Sequence, residues 1–151
     1  MGASSCALDR RLLDTPITGF LIVWLILGAC AASSARATNA FDEATRQILV
    51  DAVTAASVVD MYHARCRGDV SGRRMENLNK LLVSKLRITV LTVEDDYFPE
   101  RSYRRVQQRL EQDFSTILRD AGGCPGAKES TLPEQLKAHY DAGLDAVRAL
   151  P

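Results

Sequence analysis

The chain has 151 residues, of which 46% are hydrophobic, 25% charged and only 6% aromatic, a composition that fits one globular domain. Nineteen basic and nineteen acidic side chains give a formal net charge of zero. There is thus neither the basic excess expected of a nucleic-acid-binding protein nor the acidic excess of a solvating tail. Low aromatic content with plentiful Ala, Leu, Arg and Glu favours helix.

The first 37 residues have the three parts of a secretory signal peptide. A polar start with two arginines precedes the apolar stretch 17–32, and Ala35-Arg36-Ala37 supplies a small-x-small end. We therefore predict cleavage before Thr38. Residues 38–151 would then form a single domain outside the cytoplasm, in the periplasm or secreted.

Two other fates of this leader remain open. Leu27-Gly28-Ala29-Cys30 resembles a bacterial lipobox, in which Cys30 would be acylated and become the mature N-terminus. The apolar stretch could also stay uncut as an anchor, although a span needs about 20 apolar residues and this run is shorter. All three fates place the remainder of the chain outside the cytoplasm.

The four cysteines divide into two in the leader and one pair beyond it, Cys66 and Cys124. In an oxidising compartment an even pair predicts a disulfide. It would close a loop of 59 residues (124 − 66 + 1), for which loop-closure entropy gives a stabilisation of about 4 kcal/mol. Since small domains have stabilities of only about 5–15 kcal/mol, this bond would matter for folding.

The first half of the mature chain predicts two main helices and one short one. The first runs from about 39 to 66 and has small residues in its middle, which would let a neighbouring helix approach closely. The second runs from about 71 to 86. The stretch 88–93 (ITVLTV) has strand propensity, but a lone strand has nothing to pair with. We therefore predict a short helix over 89–97, with Thr89 as its N-cap.

Two further main helices complete the predicted set. Pro99 ends the short helix and can sit in the first turn of the third main helix, which runs to 121. The inward positions of this helix come three or four residues apart, at Tyr103, Val106, Leu110, Phe114, Ile117 and Ala121. We predict a loop at 124–126. The fourth begins near Thr131, which with Glu134 has the spacing of a capping box.

The predicted fold is therefore all-α, an up-down bundle of four main helices with one disulfide. Cys66 and Cys124 each follow the C-terminal end of an amphipathic helix. A disulfide requires Cα atoms within about 7 Å. These two helices must therefore run in the same direction, with both cysteines at one end of the bundle.

Two small clusters are candidate ligand sites. His63 and Cys66 lie three apart on one helix, as in a soft-metal site, but a tetrahedral metal needs more ligands and the other histidine, His139, is on the last helix. Glu94-Asp95-Asp96 could hold a hard cation or act in acid–base chemistry; a solvated helix end is the simpler interpretation. We expect no metal or cofactor at either place.

Four arginines, Arg101, Arg104, Arg105 and Arg109, form the candidate partner surface. They lie near the N-terminus of a helix, where positive charge opposes the helix dipole. Ion pairing with Glu100 and the acidic triplet is the simpler interpretation, and an anion or partner site is the alternative.

The sequence contains no phosphate-binding glycine loop, no Gly-x-Ser-x-Gly and no His-Glu-x-x-His, so we expect no enzyme. Its export, size and single bridge are similar to those of small periplasmic helical proteins such as acid-stress chaperones and toxin-neutralising immunity proteins, a likeness that transfers no residue. The hypothesis is an exported protein that binds another protein of the cell envelope. The alternative is a carrier of a ligand or metal.

Overall fold

The structure is a computed structural model that describes residues 41–151, and this part of the chain is entirely helical, with no strand. Its six α-helices are, in chain order, α1 (Glu43–Tyr62), α2 (Arg73–Leu86), α3 (Val90–Asp96), α4 (Tyr103–Asp120), α5 (Gly123–Glu129) and α6 (Leu132–Ala149). A π-helical turn, His63–Arg67, extends α1. The predicted all-α fold is confirmed.

The predicted leader, with cleavage at Ala35, Ala37 and Thr38 or acylation at Cys30, lies outside the described residues. In the part that is described, every helix is either too short or too polar to cross a bilayer.

Helix α1 is the centre of the described fold. It packs against α2, α3, α4 and α6, whereas α4 and α6 make no close backbone approach to each other among the described residues. The closest packing is with α6, where a Cβ added to Gly143 would lie 3.2 Å from the Cα of Ala52. The small residues in the middle of α1 therefore permit the close helix contact that the sequence predicts.

Helices α1 and α4 run in the same direction. Leu49 and Val53 share an apolar cluster with the early α4 residues Val106 and Leu110. Further along both helices, a second cluster contains Val58, Tyr62, Cys66, Phe114, Leu118 and Ala127. Contacts thus progress from N- to C-terminus along both helices at once, and both C-terminal ends meet at one end of the described helical unit.

The disulfide lies at that end. Cys66 and Cys124 are bonded, with their Cα atoms 5.2 Å apart, as the sequence predicts. Cys66 lies in the π-helical turn rather than in α1, which ends at Tyr62. We call the second apolar cluster and this bond, together with α5, the disulfide pole.

The short helix α3 confirms the choice of helix over strand at 88–93. The Thr89 hydroxyl accepts a hydrogen bond from the Thr92 amide at 3.1 Å, and the Thr92 hydroxyl reaches back to Thr89. This reciprocal cap outweighs the strand propensity of the β-branched residues.

Three local predictions are wrong. Residues 124–126 are not a loop but part of α5, because a proline is tolerated in the first turn of a helix. Pro99 lies before α4, which begins at Tyr103, and not in its first turn. The Tyr103 amide donates a hydrogen bond to the Asp95 carboxylate at 2.7 Å. Thr131 forms no capping box, because its backbone is not extended; the Ser130 hydroxyl accepts from the Leu132 amide instead.

Candidate functional site

An open groove of about 690 Å³ runs between α1, α3 and α4. The segment that follows the π-helical turn closes one side, through Val70 and Gly72, and Met75 of α2 borders it. Four separate stretches of the chain, 57–64, 70–75, 90–94 and 103–107, therefore build it. We call it the Glu94 groove, after its buried acidic residue.

Glu94 lines this groove although it is only 2% exposed. Its Oε1 accepts a hydrogen bond from the side-chain amide of Gln107, on α4. Burial raises the pKa of the Glu94 carboxyl, and the neighbouring Asp95 carboxylate raises it further, whereas the Gln107 hydrogen bond acts in the opposite direction. The groove thus contains a buried acid whose hydrogen-bond donor is a neutral amide.

Asp60 of α1 is the other acidic residue of the groove, and its carboxylate is already occupied. It accepts from the backbone amides of Arg74 at 3.3 Å and Met75 at 2.9 Å, which lie in the first turn of α2. The Arg74 guanidinium lies 3.8 Å from it as well. Asp60 therefore caps α2 in the way a local N-cap residue would.

The rim of the groove is apolar and exposed. Five large apolar side chains within residues 41–151 are exposed, and three of them line this one groove: Val70 at 83%, Leu91 at 51% and Tyr103 at 47%. Clustered exposed apolar side chains are typical of interaction sites, whereas scattered ones carry no such meaning.

The four arginines of the predicted partner surface have different environments in the structure. Arg109 is half-buried and engaged by its neighbours: its guanidinium pairs with Glu100 and with Asp113 at 3.1 Å, and lies 5.6 Å from the centre of the Phe98 ring. Arg105 donates to the Glu100 backbone carbonyl. Arg101 and Arg104 are exposed, with no acidic side chain of the described residues at ion-pair distance.

The three residues of the predicted acidic triplet also have different environments. Glu94 points into the groove, Asp95 caps α4, and Asp96 is exposed. Of the four arginines, Arg109 alone has the predicted ion pairing among the described residues, with Glu100 and with Asp113, which the sequence analysis did not name.

His63 and Cys66 do not form a thiolate site, because Cys66 is in the disulfide. The His63 ring faces the Arg74 guanidinium at 3.1 Å and the Asp69 carboxylate at 4.0 Å. Partial burial and the Arg74 charge lower the pKa of His63. Within residues 41–151, no three His, Cys, Asp or Glu side chains are placed together to hold a metal ion.

Sequence reasoning missed the burial of Glu94, although a signal for it exists. Glu94 follows Val90 by four residues and Val93 by one, so it shares the inward face of α3. The spacing that places the two valines inward therefore predicts an inward carboxyl as well.

The chain was compared with protein-family models, with curated proteins and with solved structures, and no match was found in any of the three.

Proposed function

We propose that this is an exported, non-catalytic helical protein that binds another protein of the cell envelope through the Glu94 groove. The predicted leader supports export, and the disulfide supports an oxidising compartment. In this proposal the four long helices, α1, α2, α4 and α6, alternate up and down with α1 at the centre. They form the scaffold that presents the groove.

The observation that carries the proposal is the apolar rim. Val70, Leu91 and Tyr103 come from three different parts of the chain and are exposed around one groove. Leaving such side chains in water loses the free energy of burying them, about 25 cal/mol per Å². A partner protein that covers this rim would recover it.

A non-catalytic role fits the chemistry of the groove. Its buried carboxyl is held by a side-chain amide, and its second carboxylate caps a helix. General acid–base catalysis needs a group placed against a reacting partner, and paired carboxylates alone do not supply one.

The test compares capture of partners by three forms of the protein. Wild type, Leu91→Ser and Val83→Ser would each be used as bait in envelope extract. Val83 is an exposed apolar residue on α2, 40% exposed and outside the groove, so it is the matched control. The proposal expects a partner that wild type and Val83→Ser retain and Leu91→Ser loses. A partner retained equally by all three would refute the role of the groove.

A second candidate, a ligand carrier, is favoured by another gap between helices. A groove of about 520 Å³ lies between α1 and α6, with Ile117 of α4 beside it. Its lining is mostly small and apolar, as at Ala55 and Gly143, and also includes the polar residues Asp51, Thr54 and His139. Its volume is within the range of small-molecule sites. Native mass spectrometry of freshly purified protein would show a bound mass if this is a carrier. A bare protein mass would remove this candidate.

A further inference from the structure

We propose that the partner inserts an arginine or lysine side chain, flanked by apolar residues, into the Glu94 groove, where Glu94 is its counter-ion. This rests on the proposed function, because it identifies the chemistry of the partner at the same groove. The inference depends on three properties of the groove, namely its charge, the environment of Glu94 and the composition of the rim.

The first property is the sign of the charge. Among the residues that the structure describes, the groove is lined by two carboxyl residues, Asp60 and Glu94, and by no lysine, arginine or histidine. Asp60 is occupied by two backbone amides and by Arg74. Glu94 is therefore the acidic residue of the groove that has no cationic partner within residues 41–151.

The second property is the cost of keeping Glu94 charged. An ionised carboxylate removed from water is expensive unless it is paired, and one neutral amide compensates only part of that cost. The Glu100 carboxylate, nearby in the chain, has a cationic partner within the fold, because it pairs with the Arg109 guanidinium. A guanidinium or ammonium group from outside would provide the same pairing for Glu94.

The third property is the apolar rim, which fits the rest of a basic side chain. Arginine and lysine have long hydrocarbon stems that pack on apolar surface while their charged heads reach a partner. Leu91 and Tyr103 line the same groove as Glu94 and are exposed for such contact. Buried arginines surrounded by apolar contacts are frequent anchors of protein interfaces.

The experiment selects peptides from a random display library on the disulfide-bonded protein. Each selected peptide is then synthesised in two forms, one with its basic residue and one with a neutral isostere, citrulline for arginine or acetyl-lysine for lysine. Affinities are measured for wild type, Glu94→Gln, Leu91→Ser and Asp96→Asn. Asp96→Asn is the matched control, since it makes the same charge change on the same helix at an exposed position outside the groove.

We expect the selected peptides to share an arginine or lysine beside Leu, Val or Phe. The neutral isostere should weaken binding to wild type by at least about tenfold, as should Glu94→Gln, because either change leaves a charge unpaired in the groove. The two changes together should cost little more than one alone. Asp96→Asn should bind as wild type does.

Two outcomes would overturn the inference and leave the proposed function standing: peptides that depend on Leu91 but lack a basic residue, or peptides with a basic residue that bind Glu94→Gln as tightly as wild type. If no peptide is selected, or if the selected peptides bind Leu91→Ser as tightly as wild type, the proposed function fails together with the inference.

Discussion

The disulfide pole and the Glu94 groove differ in how completely the fold pairs their buried functional groups. At the pole, both sulfurs are joined, and Cys66 is 6% exposed among apolar neighbours such as Tyr62 and Phe114. In the groove, a carboxyl that is buried just as deeply has a neutral amide as its partner, and exposed apolar side chains surround it. The cysteines are thus fully bonded within the fold, whereas the Glu94 carboxyl has no cationic partner within residues 41–151.

This difference separates stability from recognition. Substitutions at the pole should change the free energy of unfolding and leave the surface chemistry intact. Substitutions in the groove should change binding and pH dependence at little cost in stability, or even with a gain. Four substitutions test this separation, in order of decreasing expected effect.

The largest effect is expected from removal of the disulfide. The double variant Cys66→Ser/Cys124→Ser should lose about 4 kcal/mol of unfolding free energy, because the unfolded chain regains the entropy of an open loop. Urea unfolding measures this loss, and reduced wild type should match the variant. Hydrogen exchange should rise first in 63–67 and 123–129. An unchanged urea midpoint would contradict the role assigned to the bond.

The next effect concerns Gly126, also at the pole. A Cβ at this position would lie 2.1 Å from the Ala121 carbonyl oxygen, so Gly126→Ala forces backbone to move and should cost about 1–3 kcal/mol. Gly68→Ala is the control, since a Cβ there meets no atom within 4 Å and only the positive φ of 69° is unfavourable. It should cost about 1 kcal/mol. Equal urea midpoints for the two variants would show that the close contact is relieved cheaply.

Glu94→Gln should change stability in the opposite direction. Burial raises the pKa of Glu94 in the folded state, so the folded protein binds this proton more tightly than the unfolded chain does. The stability contributed by this group is therefore fully present below its unfolded pKa, near pH 4, and is lost as pH rises through the raised folded value. The amide variant avoids that loss and should be more stable at pH 7, by about 1 kcal/mol.

This pH dependence has its own control. Urea midpoints between about pH 4 and pH 8 should converge at the acid end for wild type and Glu94→Gln. The other ionisable side chains near Glu94 are Asp95 on its own helix, Asp60 on α1 and Tyr103 on α4, and they are unchanged in the variant. Asp96→Asn should track wild type at every pH. A variant less stable than wild type at pH 7 would show that Glu94 stabilises the fold as an ion.

The smallest effect on stability is expected at the rim. Leu91→Ser removes a side chain that is 51% exposed, and exposed substitutions usually change the unfolding free energy by no more than about 0.5 kcal/mol. Its melting temperature should therefore equal that of Val83→Ser. A large drop for Leu91→Ser alone would mean that the rim supports the fold rather than a partner.

The parts of the fold that depend on local pattern were predictable. Apolar spacing at three and four residues gave the main helices, the cap at Thr89 gave α3, and the even cysteine pair gave the disulfide. Each of these signals is contained within a short stretch of sequence or in a count of residues.

The exposure of individual side chains and the position of the groove were not predictable, because both depend on which helix faces are covered by other helices. Tyr103 and Ile117 have core spacing but are exposed, whereas Leu118, which is outside the predicted stripe, is buried in the second cluster. The charge of Glu94 predicts a solvated helix end, whereas its position four residues after Val90 predicts the inward face of α3, where the structure places it. The groove itself needs four parts of the chain, and no single stretch encodes it.

The most direct test of the account is photo-crosslinking in cells that naturally make the protein. A photoreactive phenylalanine analogue placed at position 91, on the rim, should give a discrete adduct with another envelope protein. The same analogue at position 83, where the native valine is also exposed (40%) but lies outside the groove, should give none. Equal adducts from both positions, or no adduct from position 91, would contradict a partner-binding groove.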